Sequence, residues 1–187
     1  MMTMRKKMIK SILMDMNPFF KAHLFFKKTF RVFLIISCPL YAQNPGEMAV
    51  PFTATTLEGD SIRLADFKGE IVILDFWASW CAPCLKEMPF LIEIQEKYRD
   101  QNLVVIAINL DNNKKNAVRF LKKIGKDIPF PIIFDKNKEL PKLYIPAAMP
   151  TTIFIDTKGA IRYRHNGFKE SDKSSFITEI EKLVKEK

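Results

Sequence analysis

Two cysteines three residues apart, Cys81 and Cys84, are the side chains with the clearest capacity for chemistry in this sequence. They follow a short apolar run rich in β-branched residues, and a stretch with helical periodicity begins just after them. The first turn of a helix leaves backbone N–H groups unpaired and carries partial positive charge, which stabilises a thiolate. We therefore expect Cys81 to ionise more readily than a free cysteine.

This placement predicts thiol–disulfide exchange. Cys81 precedes the helix and is expected to be the exposed attacker, whereas Cys84 lies nearly one turn later and points inward, within reach of Cys81. Cys81 would attack a partner disulfide, and Cys84 would resolve the mixed disulfide. Pro83 suits the first helical turn, and Trp77 and Trp80 flank the motif on its other side.

Other uses of the cysteine pair fit the sequence less well. A bridge across so short a loop stabilises a fold little. A closed zinc site needs four ligands, but the chain has no second C-x-x-C, and His165 is the only histidine beyond residue 23. Copper bound by both cysteines and His165 remains an alternative. A thiol peroxidase is another, although Leu74 and Ala78 occupy the two upstream positions of the peroxiredoxin signature P-x-x-x-[TS]-x-x-C.

The elements that would position these side chains indicate a mixed α/β domain. Strands are predicted at 71–76, 103–108, 131–134, 151–155 and 161–165, and helices at 82–98, 114–124 and 171–186. A short helix or turn is predicted at 140–144 and a β-hairpin over 52–64. Pro89 should kink the first helix, and Ser171 is the predicted N-cap of the last. Buried strands that alternate with helices imply a parallel or mixed sheet covered on both faces.

Composition limits the class of protein. A chain of 187 residues with 48% hydrophobic and 27% charged residues fits one globular domain, which excludes a disordered tail or a collagen-like fibre. Three cysteines are too few for a disulfide scaffold. A formal charge of +9 is typical of proteins that bind nucleic acid. However, residues 1–42 hold eight basic residues and one acidic residue, which leaves 22 basic and 20 acidic residues in 43–187. No nucleic-acid partner is therefore expected.

Residues 1–42 are predicted to be an export signal. A basic stretch ends at Arg31, and the mostly apolar run over 32–42 is too short to span a bilayer. Cleavage is expected after Ala42, which leaves a linker over 43–48 and a domain over 49–187. Two alternatives remain: an uncleaved membrane anchor, and a lipoprotein lipidated at Cys38 within the sequence Ile-Ile-Ser-Cys.

With these motifs the chain resembles the thioredoxin superfamily, and within it the TlpA/ResA-like exported thiol–disulfide oxidoreductases. The matching segments lie at 50–53, 64–69, 74–89 and 149–159. The resemblance covers about residues 49–187. It implies a thioredoxin fold, with a central mixed sheet flanked by helices, an N-terminal β-hairpin and a helix–strand insertion over 111–144.

The resemblance also implies roles for particular residues. Pro150 matches the cis-proline that faces the C-x-x-C motif, and it would place the backbone of Met149 beside the active site. Glu87 matches an acidic residue thought to tune the thiols, with an exposed helix carboxylate as the alternative. Asp75 matches the buried carboxylate of thioredoxin, which many ResA-like proteins lack. Its pKa should be raised, so that it could take the proton of Cys84, unless it is a purely structural aspartate.

The expected function is that of an extracytoplasmic or periplasmic disulfide reductase, acting on envelope proteins that include apocytochrome c. The redox-active disulfide is the only cofactor expected, and no bound metal is expected. Partners would be protein disulfides and thiols, with a membrane-bound thiol reductant as electron donor. Substrate contacts would come from Trp80, Ala82, Pro83, Met149 and Pro150. The alternatives are a non-catalytic binding or copper-handling module and a thiol peroxidase.

Overall fold

The computed structural model describes residues 44–186. The predicted leader, including Cys38, and the first linker residue, Gln43, lie outside the described residues. The strands are β1 (Thr53–Thr55), β2 (Ser61–Arg63), β3 (Ile71–Trp77), β4 (Leu103–Asn109), β5 (Ile132–Phe134), β6 (Thr151–Ile155) and β7 (Ile161–Asn166). The helices are α1 (Cys84–Tyr98), α2 (Lys114–Ile124), α3 (Glu139–Tyr144) and α4 (Lys173–Lys185).

Five strands form one mixed sheet in the order β5-β4-β3-β6-β7. Strand β3 is central and runs parallel to β4 and antiparallel to β6. Every residue of β3 is buried, which agrees with its near-continuous apolar sequence. The predicted mixed sheet is thus confirmed, as is the separate N-terminal hairpin of β1 and β2.

Both faces of the sheet are covered, because alternate side chains of each strand enter different apolar clusters. One face packs against α1, α2 and α4 through a cluster that includes Trp77, Leu91, Phe120 and Phe176. The other face packs against α3 and the hairpin through Phe52, Phe76 and Tyr144 among others. No helix of residues 44–186 has the length and apolarity that a bilayer crossing demands.

Helix ends follow local sequence in most places. Helix α2 begins after Asn113, whose side chain accepts the Lys115 N–H, and ends at Gly125 in the left-handed conformation with φ of 70°. Helix α1 runs through Pro89. The prediction that Ser171 caps the last helix was wrong. A 3-10 turn over Glu170–Asp172 precedes α4, and the Lys169 N–H donates to the Asp172 carboxylate over 2.8 Å.

Candidate active site

Cys81 and Cys84 form a disulfide in the turn between β3 and α1. The S–S distance is 2.00 Å and the Cα atoms lie 5.4 Å apart. Cys84 is the first residue of α1, and its backbone N–H donates to the Cys81 sulfur over 3.2 Å. One N–H group of the helix start, that of Cys84, therefore points at Cys81, which is the electrostatic setting that stabilises a thiolate.

The cysteines are less accessible than the sequence predicted. Cys81 was expected to be exposed, but it is 4% exposed against 1% for Cys84. Both sulfur-bearing residues belong to the apolar cluster against which Met149 packs, which explains the low exposure. Trp80 is 69% exposed, and Ala82 and Pro83 are exposed as well. A partner would therefore contact these three residues before it reached the disulfide.

Pro150 lies at the same end of the sheet as the disulfide. The Met149–Pro150 peptide bond is cis, as the resemblance implied. Thr151, the next residue, pairs with Phe76 near the end of β3, five residues before Cys81. The Thr151 hydroxyl donates to the Ala148 carbonyl over 2.7 Å, and the Pro150 carbonyl accepts the Gly167 N–H over 2.7 Å. The segment before β6 is thus held on both sides.

Two carboxyl groups are buried beneath this end of α1. Asp75 lies in β3 and Glu87 lies one turn after Cys84, and each is about 1% exposed. Burial raises the pKa of Asp75 to about 7. Burial, reinforced by the charge of Asp75, raises the pKa of Glu87 well above its ordinary value. Two such neighbours cannot both ionise cheaply, so the pair holds at least one proton near neutral pH.

Thr152 connects the carboxyl pair to the strand that follows the cis-proline. It pairs with Asp75 across the β3–β6 ladder, and its hydroxyl donates to the Glu87 carboxyl over 2.7 Å. No backbone, hydroxyl or amide donor within residues 44–186 satisfies the Asp75 oxygens. Glu87 is therefore not the exposed helix carboxylate that the sequence left open, because its side chain is buried and hydrogen-bonded.

Asp111, which no sequence pattern singled out, anchors the turn between β3 and the cysteines. Its buried carboxylate accepts hydrogen bonds from the Ser79 N–H over 3.1 Å, the Ser79 hydroxyl over 2.8 Å and the Asn109 amide over 2.9 Å. Ser79 precedes Cys81 by two residues. The available signal was a run of polar residues at the carboxyl end of β4, the edge where α/β sheets carry their sites.

His165 does not join the cysteines. Its Nε2 lies 2.6 Å from the Glu179 carboxylate of α4, and its ring packs on Phe154 and Phe176. No group of three histidine, cysteine or acidic side chains within residues 44–186 is arranged to hold a metal ion. The copper trio that the sequence left open is therefore not assembled in this structure.

A disulfide at the start of a helix, with a cis-proline beginning a neighbouring strand of a mixed sheet, is the arrangement of the thioredoxin superfamily. Solved structures support this fold. A protein from Chlorobium tepidum, provisionally named thiol:disulfide interchange protein DsbE, is similar with a TM-score of 0.72 and 34% identity, over 76% of this chain and 99% of that one. The exposed lipoprotein thioredoxin of Streptococcus pneumoniae is similar with a TM-score of 0.60 and 31% identity, over 72% of this chain and 100% of that one.

Within that superfamily the chain belongs to the AhpC/TSA family, whose model matches residues 45–164. A sequence relative is the thiol-disulfide oxidoreductase ResA of Bacillus thuringiensis subsp. konkukian (strain 97-27). It is 40% identical over 116 residues, which are 62% of this chain and 66% of the relative. The match thus spans slightly less than two thirds of the ResA protein.

Proposed function

We propose that this protein is a thiol–disulfide oxidoreductase that reduces disulfides of proteins outside the cytoplasm. The observation that carries the proposal is the Cys81–Cys84 disulfide at the start of α1, with the Cys84 N–H donating to the Cys81 sulfur over 3.2 Å. This geometry stabilises a Cys81 thiolate in the reduced form and keeps the second sulfur within bonding reach. The names of the ResA and DsbE relatives agree with such chemistry.

The reaction proceeds in two exchanges. The Cys81 thiolate attacks one sulfur of the substrate disulfide, a bond forms between them, and the other substrate sulfur leaves as a thiolate. Cys84 then loses its proton and attacks the Cys81 sulfur, which restores the internal disulfide and releases the second substrate thiol. Two electrons pass from the dithiol to the substrate, whose two departing thiolates take their protons from solvent. A membrane-bound thiol reductant would return the two electrons.

The buried carboxyl pair supplies a proton acceptor for the second exchange. Cys84 is buried, so water cannot readily take its proton. Glu87 follows it by one turn of α1, and Asp75 lies on the sheet face that α1 covers. An acceptor with a pKa near the working pH is the most effective general base. The pair therefore deprotonates Cys84 during reduction and returns the proton when the disulfide is reduced again.

Substrate contact falls to the rim of the disulfide. Trp80, Ala82 and Pro83 are exposed beside it, and Met149 packs from the cis-proline side. An extended substrate segment would pair with the backbone of Met149 while its sulfur meets Cys81. A disulfide of apocytochrome c, reduced to its two thiols, is one substrate consistent with this reaction.

Peroxidase chemistry is less well supported. In the peroxiredoxin signature a proline and a hydroxyl residue precede the cysteine, whereas here Leu74 and Ala78 stand there and both are fully buried. A copper-handling role lacks its third ligand, because His165 is engaged by Glu179.

Reduction of insulin by dithiothreitol tests the proposal. We expect the wild-type protein to accelerate insulin precipitation and Cys81→Ser to match the uncatalysed rate. Cys84→Ser is the matched control, since it keeps the attacker but accumulates a mixed disulfide that mass spectrometry detects. Equilibration with glutathione should give a potential near the thioredoxin value of about −270 mV rather than about −120 mV. A Cys81→Ser variant as active as wild type would refute the proposal, and thiol-dependent peroxide consumption would favour the peroxidase.

A further inference from the structure

Helix α2 presents a cluster of basic side chains to solvent. Residues 114–126 contain six basic residues and no acidic one. The rest of 43–187 holds 16 basic and 20 acidic residues, so the positive charge of the domain is concentrated in this helix. Five of the basic residues lie within α2 and the sixth, Lys126, lies just beyond it.

This arrangement does not help the helix to form. Lys114 and Lys115 occupy its first turn, where the dipole disfavours cations, and no acidic residue offsets them. Arg119 follows Lys115 by four residues and Lys123 follows Arg119 by four, and like charges at that spacing destabilise a helix. Only the last turn, with Lys122 and Lys123, suits the dipole. Folding stability therefore does not account for the pattern.

Four of the cations are available to a partner. Lys114 donates to the Leu57 carbonyl, and Lys126 pairs with Glu93 at 3.8 Å. Among the ion pairs of residues 44–186, none involves the four remaining basic side chains, all of which are exposed. These four are Lys115, Arg119, Lys122 and Lys123.

The basic cluster borders the disulfide. A cleft of about 170 Å³ lies between the motif and the helix, lined by Ser79, Leu85, Asn116, Arg119, Phe120 and Lys123. Ser79 precedes Cys81 by two residues and Leu85 follows Cys84 directly. The helix is held there because Phe120 packs on Trp77 with ring centroids 4.7 Å apart. Two cations thus share a cleft with the residues on either side of the reactive pair.

We propose that Arg119 and Lys123 bind carboxylates of the substrate, so that the protein selects disulfides lying within acidic polypeptide segments. This inference rests on the proposed oxidoreductase function and adds a substrate class to it. The Arg119 guanidinium can bind a carboxylate through two parallel hydrogen bonds. Lys115 and Lys122 extend the positive field that draws an acidic segment toward the cleft.

An acidic polypeptide fits these observations better than an anionic membrane. A flat anionic bilayer could bind any set of exposed cations. Arg119 and Lys123, however, share a cleft with residues that flank the cysteines. A bilayer bound at this helix would also crowd the approach to the disulfide. Vesicle binding through this helix without a peptide preference would therefore contradict the acidic-substrate inference.

Exchange kinetics with paired peptides test the inference. Two peptides of equal length each carry one cysteine in a mixed disulfide with 2-mercaptoethanol, flanked by four Glu or by four Gln residues. The second-order rate constant with the reduced protein is divided by that with dithiothreitol, which corrects for intrinsic disulfide reactivity. We expect the corrected rate to favour the Glu peptide about tenfold at low ionic strength. The preference should shrink toward unity near 1 M salt, where screening acts within about 3 Å.

Two matched double variants test whether Arg119 and Lys123 cause the preference for the Glu peptide. In Arg119→Gln/Lys123→Gln the corrected ratio should fall to near one at low salt. In Lys68→Gln/Lys158→Gln, which removes two exposed lysines at the opposite end of the sheet, the tenfold preference should persist. Circular dichroism confirms that both variants fold.

The outcomes separate this inference from the proposed function. Exchange with neither peptide would refute the oxidoreductase itself. Equal corrected rates, or a preference that survives Arg119→Gln/Lys123→Gln, would overturn only the acidic-substrate inference. Binding to phosphatidylglycerol vesicles that this variant loses, without any peptide preference, would assign the basic cluster to a membrane surface and also overturn it.

Discussion

At the scale of single residues, burial decides what the two carboxyl groups can do. Asp75 stands among apolar residues of β3, and Glu87 lies on the inner face of α1. Desolvation disfavours the charged form of each, and the charge of Asp75 raises the pKa of Glu87 further. Burying these carboxyl groups costs free energy of folding. Folding stability therefore does not explain the pair, whereas the proposed proton transfer to and from Cys84 does.

Replacement of Asp75 by Asn should stabilise the oxidised protein. The pKa of Asp75 rises from 3.8 to about 7 on folding. The stability that this group contributes is therefore complete below about pH 4 and is lost as the pH rises through 7. We expect urea denaturation of Asp75→Asn to show a gain of roughly 2–4 kcal/mol at pH 8, since one pKa unit corresponds to about 1.4 kcal/mol, and a smaller gain at pH 5.

Asp100→Asn, which removes an exposed carboxylate of the 3-10 turn after α1, is the control and should change the free energy of unfolding far less. A gain in Asp75→Asn that is the same at both pH values would contradict the assignment of a raised pKa. Asp75→Asn should also slow insulin reduction, because it removes one carboxyl group of the proposed proton acceptor.

At the scale of elements, the site depends on two junctions at the carboxyl ends of adjacent parallel strands. Strand β3 leads into the cysteine turn, and β4 leads into Asp111, which accepts hydrogen bonds from Ser79. The parallel register brings Trp77 opposite Asn109, so the two junctions lie side by side. Asp111 thereby acts as a positioning residue for the turn that holds Cys81.

Asp111→Ala should slow exchange by more than its loss of stability explains. It leaves the half-buried Ser79 donors and the buried Asn109 donor unsatisfied, which costs about 1–3 kcal/mol, and it frees the turn that orients Cys81. We expect a several-fold fall in insulin reduction and a changed pH profile of Cys81 alkylation by iodoacetamide.

Asp156→Ala provides a matched control at the far end of the sheet. Asp156 also accepts two backbone N–H groups of a turn, those of Lys158 and Ala160. The Asp156→Ala variant should be less stable than wild type but should keep the wild-type pH profile of Cys81 alkylation. If both variants leave that profile unchanged, Asp111 stabilises the fold without positioning the thiol.

At the scale of the whole molecule, charge is segregated along the chain. Residues 1–42 hold eight basic residues and one acid, and within the remainder the basic excess is confined to 114–126. The first segment fits an export signal, which would place the dithiol where substrate disulfides persist. Lipidation at Cys38 stays the alternative prediction from the sequence.

The intact mass of the protein recovered from cells that export it tests the leader. Cleavage after Ala42 predicts a chain that begins at Gln43 and carries no lipid. A species that begins at a diacylated Cys38 would establish the lipoprotein instead. A full-length mass in the membrane fraction would indicate an uncleaved anchor and refute the predicted cleavage.

Local sequence patterns predicted most of the secondary structure and the reactive pair. The predicted bounds of α2 and β6 agree with the structure, because an Asn cap, a glycine end and a β-branched run are local signals. Ser171 failed as a cap because the chain forms a 3-10 turn first, stabilised by Asp172. The spacing of the cysteines, together with their place between a predicted strand and a predicted helix, indicated a redox-active pair, and the two form a disulfide.

The sequence by itself determined the chemistry, because nucleophile, resolving thiol and helix start are neighbours along the chain. Tertiary structure alone decided which distant groups serve that chemistry. Asp111 meets Ser79, Thr152 meets Glu87, and Arg119 reaches the cleft beside Leu85. These contacts join residues 32 or more positions apart. They depend on strand order and helix packing, which no local pattern encodes.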